Sequence, residues 1–455
     1  MRIILPVLLI LSLSACDRKS PPTVTVPTAK SHNTLLNEQA AAARLDAPIA
    51  PLTPLAQLGK KIFFDETLSG SGHMSCASCH NPQNAYAPLN NLAAQLGGTD
   101  LARQGGRAVP SLTYHERTPT FKVMPDTQLD IDDGATLKAP RLAQKTLSDA
   151  EISKAISEGH ANTVNVVHAD TVVPLGGFDL DGRAVSLADQ ASGPLFDARE
   201  MANSNIRSLQ KKLAAAPYAR EMVAVFGKNA LGLPEQAVRN ATKALEQFQL
   251  EDHSFHSYNS KFDYVLAGRA QFNDQETRGW TLFDDPKKGN CAACHLDKPT
   301  KNRMAPAFTD YQYEALAAPR NSDLRANQNP DFFDTGLCGP NRNDLAGQSG
   351  FCGMFKTPSL RNVATRRVFF HNGVFHSLED VVRFYVERDT RPEKWYPKRA
   401  DGSVEMFNDL PVAYRANVDV GDAPFNRHQG EQPALSNQEI DDLVAFLKTL
   451  TDGYK

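Results

Sequence analysis

Four of the seven cysteines in this 455-residue chain fall into two matching patterns. Cys76-Ala77-Ser78-Cys79-His80 and Cys291-Ala292-Ala293-Cys294-His295 each place two thiols three positions apart and follow them at once with an imidazole. So arranged, the two thiols can form thioethers with the two vinyl groups of one haem while the adjacent histidine reaches the iron. A zinc site needs four ligands close in space, commonly from knuckles a few tens of residues apart, and here more than two hundred residues separate the motifs. A thioredoxin-like dithiol does not require the histidine. Two covalently attached c-type haems are therefore expected, with His80 and His295 as proximal ligands to the iron.

The other three cysteines have separate uses. Residues 1 to 16 carry one early positive charge, an apolar run from Ile3 to Leu13 and small residues before Cys16, the pattern of a secretory signal too short to span a bilayer. Leu13-Ser14-Ala15-Cys16 resembles the lipobox of bacterial lipoproteins, in which the cysteine is lipidated, and Asp17 hints at retention on the inner membrane. The alternative is an ordinary signal with a chance cysteine. A periplasmic, lipid-anchored protein is expected, and in that oxidising compartment Cys338 and Cys352, with thirteen residues between them, are read as a disulfide clamping a loop. A formal charge of −3 provides no basic field for nucleic acid, and a mean hydropathy of −0.40 excludes a polytopic membrane protein.

The elements that position the motifs repeat. Gly59-Lys60-Lys61-Ile62-Phe63 precedes the first and Gly279-Trp280-Thr281-Leu282-Phe283 the second, so a Gly-x-x-aliphatic-Phe helix leads into each turn. Glu235 to Leu250 reads as a helix with Ala237, Val238, Ala241, Ala244, Leu245 and Phe248 on one side. A terminal helix opens at a Ser436/Glu439 capping box. Strand signals are sparse, and 29 prolines and 28 glycines point to long loops. The predicted architecture is mostly α, with two cytochrome c-like haem domains at 49–258 and 259–455, behind a leader at 1–16 and a flexible tether at 17–48.

With these residues in view, the sequence from about 50 to 450 resembles the bacterial di-haem cytochrome c peroxidases and their MauG-like relatives, with an added stretch at about 117–172. The resemblance rests on Gly176-Gly177-Phe178-Asp179-Leu180-Asp181-Gly182-Arg183 with Leu187, Gln190, Gly193-Pro194 and Glu200-Met201. It rests also on Thr357-Pro358-Ser359-Leu360-Arg361-Asn362, Phe370-His371-Asn372-Gly373 and Leu378 to Tyr385. It implies that the N-terminal haem reduces hydrogen peroxide beside Gln190, Pro194 and Glu200. A carboxylate in a partly dry pocket could there move a proton from the inner to the outer oxygen. Gln190 would position peroxide or water, and Pro194 would keep a competing ligand away.

Many family members carry a histidine that blocks the first iron until the second haem is reduced. Here that position is Asp100, so a five-coordinate first haem is expected, with His115 as an alternative ligand that would fold back. On the second haem the family's distal methionine corresponds to Tyr385, as in MauG-like proteins, with Met354 or Met406 as alternatives. A phenolate favours oxidised iron and lowers the potential where a thioether raises it. His371 would support a propionate or the domain interface.

Two positions depart from the family. Leu180 stands where an inter-haem tryptophan is usual. Ala108 and Arg366-Arg367-Val368 stand where an interdomain calcium is held, which makes calcium possible without its side-chain ligand. The resemblance implies a peroxide-reducing oxidoreductase supplied with electrons by a small redox protein or by an oxidisable side chain of a partner protein. The competing class is a di-haem electron-transfer cytochrome or redox sensor, which would not need Glu200 and Gln190 beside an open iron.

Overall fold

The computed structural model describes residues 32–125, 130–131, 135–136 and 172–455. The leader with Cys16, residues 17–31 of the tether and most of the added stretch lie outside them.

Helix α1 (His32–Leu45) comes first. It is followed by α2 (Pro54–Phe63), the single turn α3 (Cys76–Cys79), α4 (Leu187–Phe196), α5 (Ile206–Ala215), α6 (Ala219–Phe226) and α7 (Pro234–Glu251). The second half contributes α8 (Lys261–Leu266), α9 (Asp274–Asp284), α10 (Leu378–Glu387) and α11 (Asn437–Lys448). Strand among the described residues is limited to β1 (Leu96–Gly97), β2 (Arg103–Gln104), β3 (Lys122–Pro125), β4 (Asp130–Ile131), β5 (Ala135–Thr136), β6 (Val172–Leu175), β7 (Tyr313–Glu314) and β8 (Phe355–Lys356). They pair antiparallel as β1 with β2, β3 with β6, β4 with β5 and β7 with β8.

The glycine of each repeated pentapeptide marks a helix crossing. A β-carbon at Gly59 of α2 would lie 1.9 Å from the Ala244 carbonyl oxygen of α7, and one at Gly279 of α9 would lie 2.0 Å from the Asp442 carbonyl oxygen of α11. Only a hydrogen fits at either place, so the backbones touch there. The phenylalanine one turn on completes each contact, Phe63 on Phe248 at 5.5 Å between ring centroids and Phe283 on Phe446 at 5.3 Å. Two separate cores grow around these crossings, one containing Leu58, Ile62, Leu209 and Phe248, the other Phe262, Phe384, Leu443 and Phe446. The chain passes from one core to the other between Phe255 and Phe262.

Hydrogen bonds lace the two units together. Gly176 N–H donates to the Tyr311 carbonyl and Ala108 N–H to the His371 carbonyl, both at 2.8 Å. The Arg107 guanidinium donates to Asp181 of its own unit at 2.8 Å and to Asp334 of the other at 2.6 and 2.8 Å.

The reading of 17–48 as a tether fails for 32–45, which are helical. Ala41 of α1 is buried, Arg44 lies over the Tyr258 ring at 5.7 Å, and Asp46 just beyond the helix pairs with Arg269 of the second unit. Residues 35–45, Leu-Leu-Asn-Glu-Gln-Ala-Ala-Ala-Ala-Arg-Leu, are rich in strong helix formers. The scarcity of large apolar side chains in 17–48 obscured that propensity, and docking on α8 supplies the burial that the segment lacks alone.

Candidate functional site

Each Cys-x-x-Cys-His motif occupies one turn beyond its crossing helix. His80 N–H donates to the Cys76 carbonyl at 2.9 Å, and His295 N–H to the Cys291 carbonyl at 2.8 Å. The imidazoles are held alike: His80 Nδ1 is 3.0 Å from the Tyr86 carbonyl, and His295 Nδ1 is 3.0 Å from the Phe308 carbonyl. A carbonyl can only accept, so each Nδ1 carries the proton and each Nε2 keeps its lone pair. Tyr86 and Phe308 themselves have φ of 54° and 55°, a left-handed backbone uncommon for bulky residues.

A further matched pair, missed in the sequence reading, locks these turns. Pro110-Ser111-Leu112 and Pro358-Ser359-Leu360 are the same tripeptide. Ser111 Oγ donates to the Ala85 carbonyl at 2.5 Å and Ser359 Oγ to the Ala307 carbonyl at 2.6 Å, in each case the residue just before the one that orients the histidine. Three identical residues were the only signal available.

Burial lowers both imidazoles to about 4, so both are neutral near pH 7. It pushes the Cys76 and Cys291 thiols up to about 12 and the Cys79 thiol to about 11. Two enclosed thiols beside a neutral imidazole with an oriented lone pair form the donor set that a covalently bound haem requires. Both motifs fit the group.

The two units differ in what lies near these motifs. In the first, Gln190 and Pro194 lie on α4 and Glu200 just after it. The Glu200 carbonyl accepts from Gly98 N–H at 2.8 Å, and a β-carbon at Gly97 would lie 2.3 Å from the Arg199 carbonyl oxygen, so this glycine pair lets β1 press against the Glu200 backbone. The Glu200 side chain is exposed to solvent although protein surrounds it on most sides, as for a group lining a cleft. That enclosure, reinforced by Asp197 and Asp179, raises its carboxyl to about 7. Its charge in turn raises both Cys76 and Cys79, which places it near the first motif. Gln190 Nε2 donates to Asp179 Oδ1 at 3.4 Å.

In the second unit, Tyr385 of α10 is half-buried between Phe370 and Phe425, with ring centroids at 6.0 and 5.4 Å. It lines a cavity of about 320 Å³ together with Cys291, Cys294 and His295. Burial and the nearby thiols raise the phenol well above its ordinary range. Met354 and Met406 do not line this cavity.

Between the units, Leu180 and Lys356 border the same cavity, and the Leu180 carbonyl accepts from Lys356 N–H at 2.9 Å. Sequence reasoning also passed over the Lys356 amine, which donates to the Gly177 carbonyl and is lowered to about 8 by burial against the pull of Asp179 and Asp181. His371 stacks on Phe355 at 3.8 Å, with its Nε2 3.3 Å from Asp409. His115 Nε2 is 3.1 Å from the Ser111 carbonyl, a contact that engages the atom a folded-back ligand would use. Asp100 is exposed and accepts from Ala102 N–H at 3.1 Å. Cys338 and Cys352 are joined as a disulfide. Among the described residues, no three or more His, Cys, Asp and Glu side chains gather as a metal cage, and no helix is long and apolar enough to cross a membrane.

Comparisons with known proteins agree with this geometry. A family profile described as di-haem cytochrome c peroxidase matches residues 53–271. The chain is 31% identical over 409 residues to the methylamine utilization protein MauG of Paracoccus denitrificans, covering 88% of each chain. It is 27% identical to the cytochrome c551 peroxidase of Nitrosomonas europaea, over 74% of this chain and 75% of that one. The crystal structure of the dihaem peroxidase BthA from Burkholderia thailandensis superposes with a TM-score of 0.72 at 36% identity, covering 90% of this chain and 88% of that one. With its two matching Cys-x-x-Cys-His motifs, the chain belongs to the family of di-haem cytochrome c peroxidases and MauG-like oxidoreductases, enzymes that act on peroxide.

Proposed function

We propose that this protein reduces hydrogen peroxide beside Glu200, on the face of the first unit opposite His80, and that the second unit relays the electrons through His295 and Tyr385. The observation that carries the proposal is the Glu200 carboxyl, raised to about 7 by enclosure beside the first motif and therefore able to take and return a proton near neutrality. Haem bound at His80 would supply the iron that accepts peroxide and the electrons that divide its O–O bond. Glu200 takes the proton from the inner oxygen and returns it to the outer one, so that peroxide, two electrons and two protons become two waters. Gln190, oriented by Asp179, holds peroxide or water in place. Pro194 presents no competing ligand.

On the second unit, Tyr385 is proposed as the ligand opposite His295. Burial favours the neutral phenol, and ferric iron would supply the local positive charge that favours the phenolate. Anionic ligation would favour highly oxidised iron and lower the potential, so the second haem would be poorly suited to collecting electrons from a high-potential redox protein and better suited to sharing oxidising equivalents made at the first, to be drawn on by an oxidisable side chain of a partner protein. Steady-state peroxide turnover with reduced cytochrome c tests this choice: slow turnover is expected, and rapid turnover would restore the small redox protein as donor.

The leader-like residues 1–16 and the Cys338–Cys352 disulfide support a periplasmic location, with Cys16 as a lipid anchor and the inner membrane as its site. Calcium between the units is proposed to be weakly held, because Ala108 and the part-buried Arg366 stand at its family position. Chelation should therefore leave both haem spectra unchanged.

A further inference from the structure

Arg366 is set apart from the other enclosed arginines. Arg107 pairs with Asp181 and Asp334, Arg361 with Asp263, Arg388 with Asp389, and Arg342 with Asp344. Arg366 has no carboxylate partner among the described residues. Among the described residues its one side-chain hydrogen bond runs from Nη2 to the Val109 carbonyl of the first unit at 3.3 Å. Burial is the sole cause of its shift, down to about 10, with no acid restoring it. The residue lines the cavity that His295 and Tyr385 also line, and its charge reaches His80.

An enclosed guanidinium loses its hydration and stays charged, so it requires an anion or a full set of acceptors. Among the described residues, four of its five side-chain N–H donors have no acceptor, the side chain is part-buried where it borders the cavity, and the planar fork matches the two oxygens of a carboxylate. Val109 and Arg366 belong to different units, so an anion at the fork would sit on the seam between them.

We propose that Arg366 binds a propionate carboxylate of bound haem and thereby ties the cofactor to the joint between the two units. The proposal rests on the reading that both motifs carry haem. It makes Arg366 a positioning residue, whose single fixed charge does locally what a bound cation would do.

The test uses holoprotein and measures both haem midpoint potentials by spectroelectrochemistry, with resonance Raman of the propionate-bending bands. Arg366→Gln removes the cation, which favours the reduced, less positive iron, so the potential of the affected haem should move negative. A shift of the five-coordinate haem's signal assigns the carboxylate to the His80 haem, and a shift of the other to the His295 haem. Arg366→Lys keeps the charge and loses the fork. It should retain most of the potential yet shift the bending bands, and it serves where the glutamine variant does not fold. Unchanged potentials in a folded Arg366→Gln protein with two haems per chain, or unchanged bands in Arg366→Lys, would overturn the proposal. A wild-type chain with fewer than two haems would sink the reading on which it rests, and the proposal with it.

Discussion

The first and second units hold their histidines in nearly the same way and set unlike ionisable groups near their motifs. In both, a glycine crossing sets two helices in contact, a turn presents two thiols, and a left-handed aromatic residue offers its carbonyl to Nδ1. Near that scaffold, one unit carries the Glu200 carboxyl, raised toward neutrality, and the other the half-buried Tyr385 phenol. On the roles proposed above, cofactor attachment and reactivity are separable: the duplicated part would hold the haem, and the part that is not duplicated would decide what the iron can do.

The comparison is most exposed to Glu200→Gln. Peroxide should then react more slowly by roughly 10²–10⁴-fold, the usual scale for lost acid–base catalysis, in stopped-flow measurements of the first haem; an unchanged rate would remove the distinction between the units. Next are the two crossings. Gly59→Ala and Gly279→Ala each force a β-carbon into a carbonyl and should cost about 1–3 kcal/mol, read from denaturant unfolding of the holoprotein. Similar losses in both would confirm the shared scaffold, and tolerance at one alone would break the equivalence.

A smaller effect is expected from pH. The carboxylate form of Glu200 takes the first proton, so the peroxide rate should climb by about tenfold per pH unit below about 7 and level off above it. In Glu200→Gln that inflection should vanish. The smallest effect on the peroxide rate should follow Tyr385→Phe, within about tenfold because the phenol lies outside the acid–base step. The second haem's spectrum and potential should nevertheless change, and if neither does, Tyr385 is not its ligand.

Much of this contrast was legible in the sequence wherever covalent chemistry or helix periodicity leaves a local trace. The Cys-x-x-Cys-His motifs, the repeated Gly and Phe, and the Ser436/Glu439 box are of that kind, and α11 begins at that box. What stayed hidden depends on long-range contact. Nothing local marks Tyr86 and Phe308 for a positive φ, since neither is glycine. Arg366 looked like a mere departure from a calcium ligand, because a missing counter-anion shows only once its neighbours are placed. Helix α1 was invisible because its burial is provided by α8, some two hundred residues later in the chain.

That helix also ties the start of the described chain to the second unit. It docks on the second unit through Ala41 and Asp46. A load on the chain ahead of His32 would therefore act first on the unit that carries Tyr385 and only through the seam on the unit that carries Glu200.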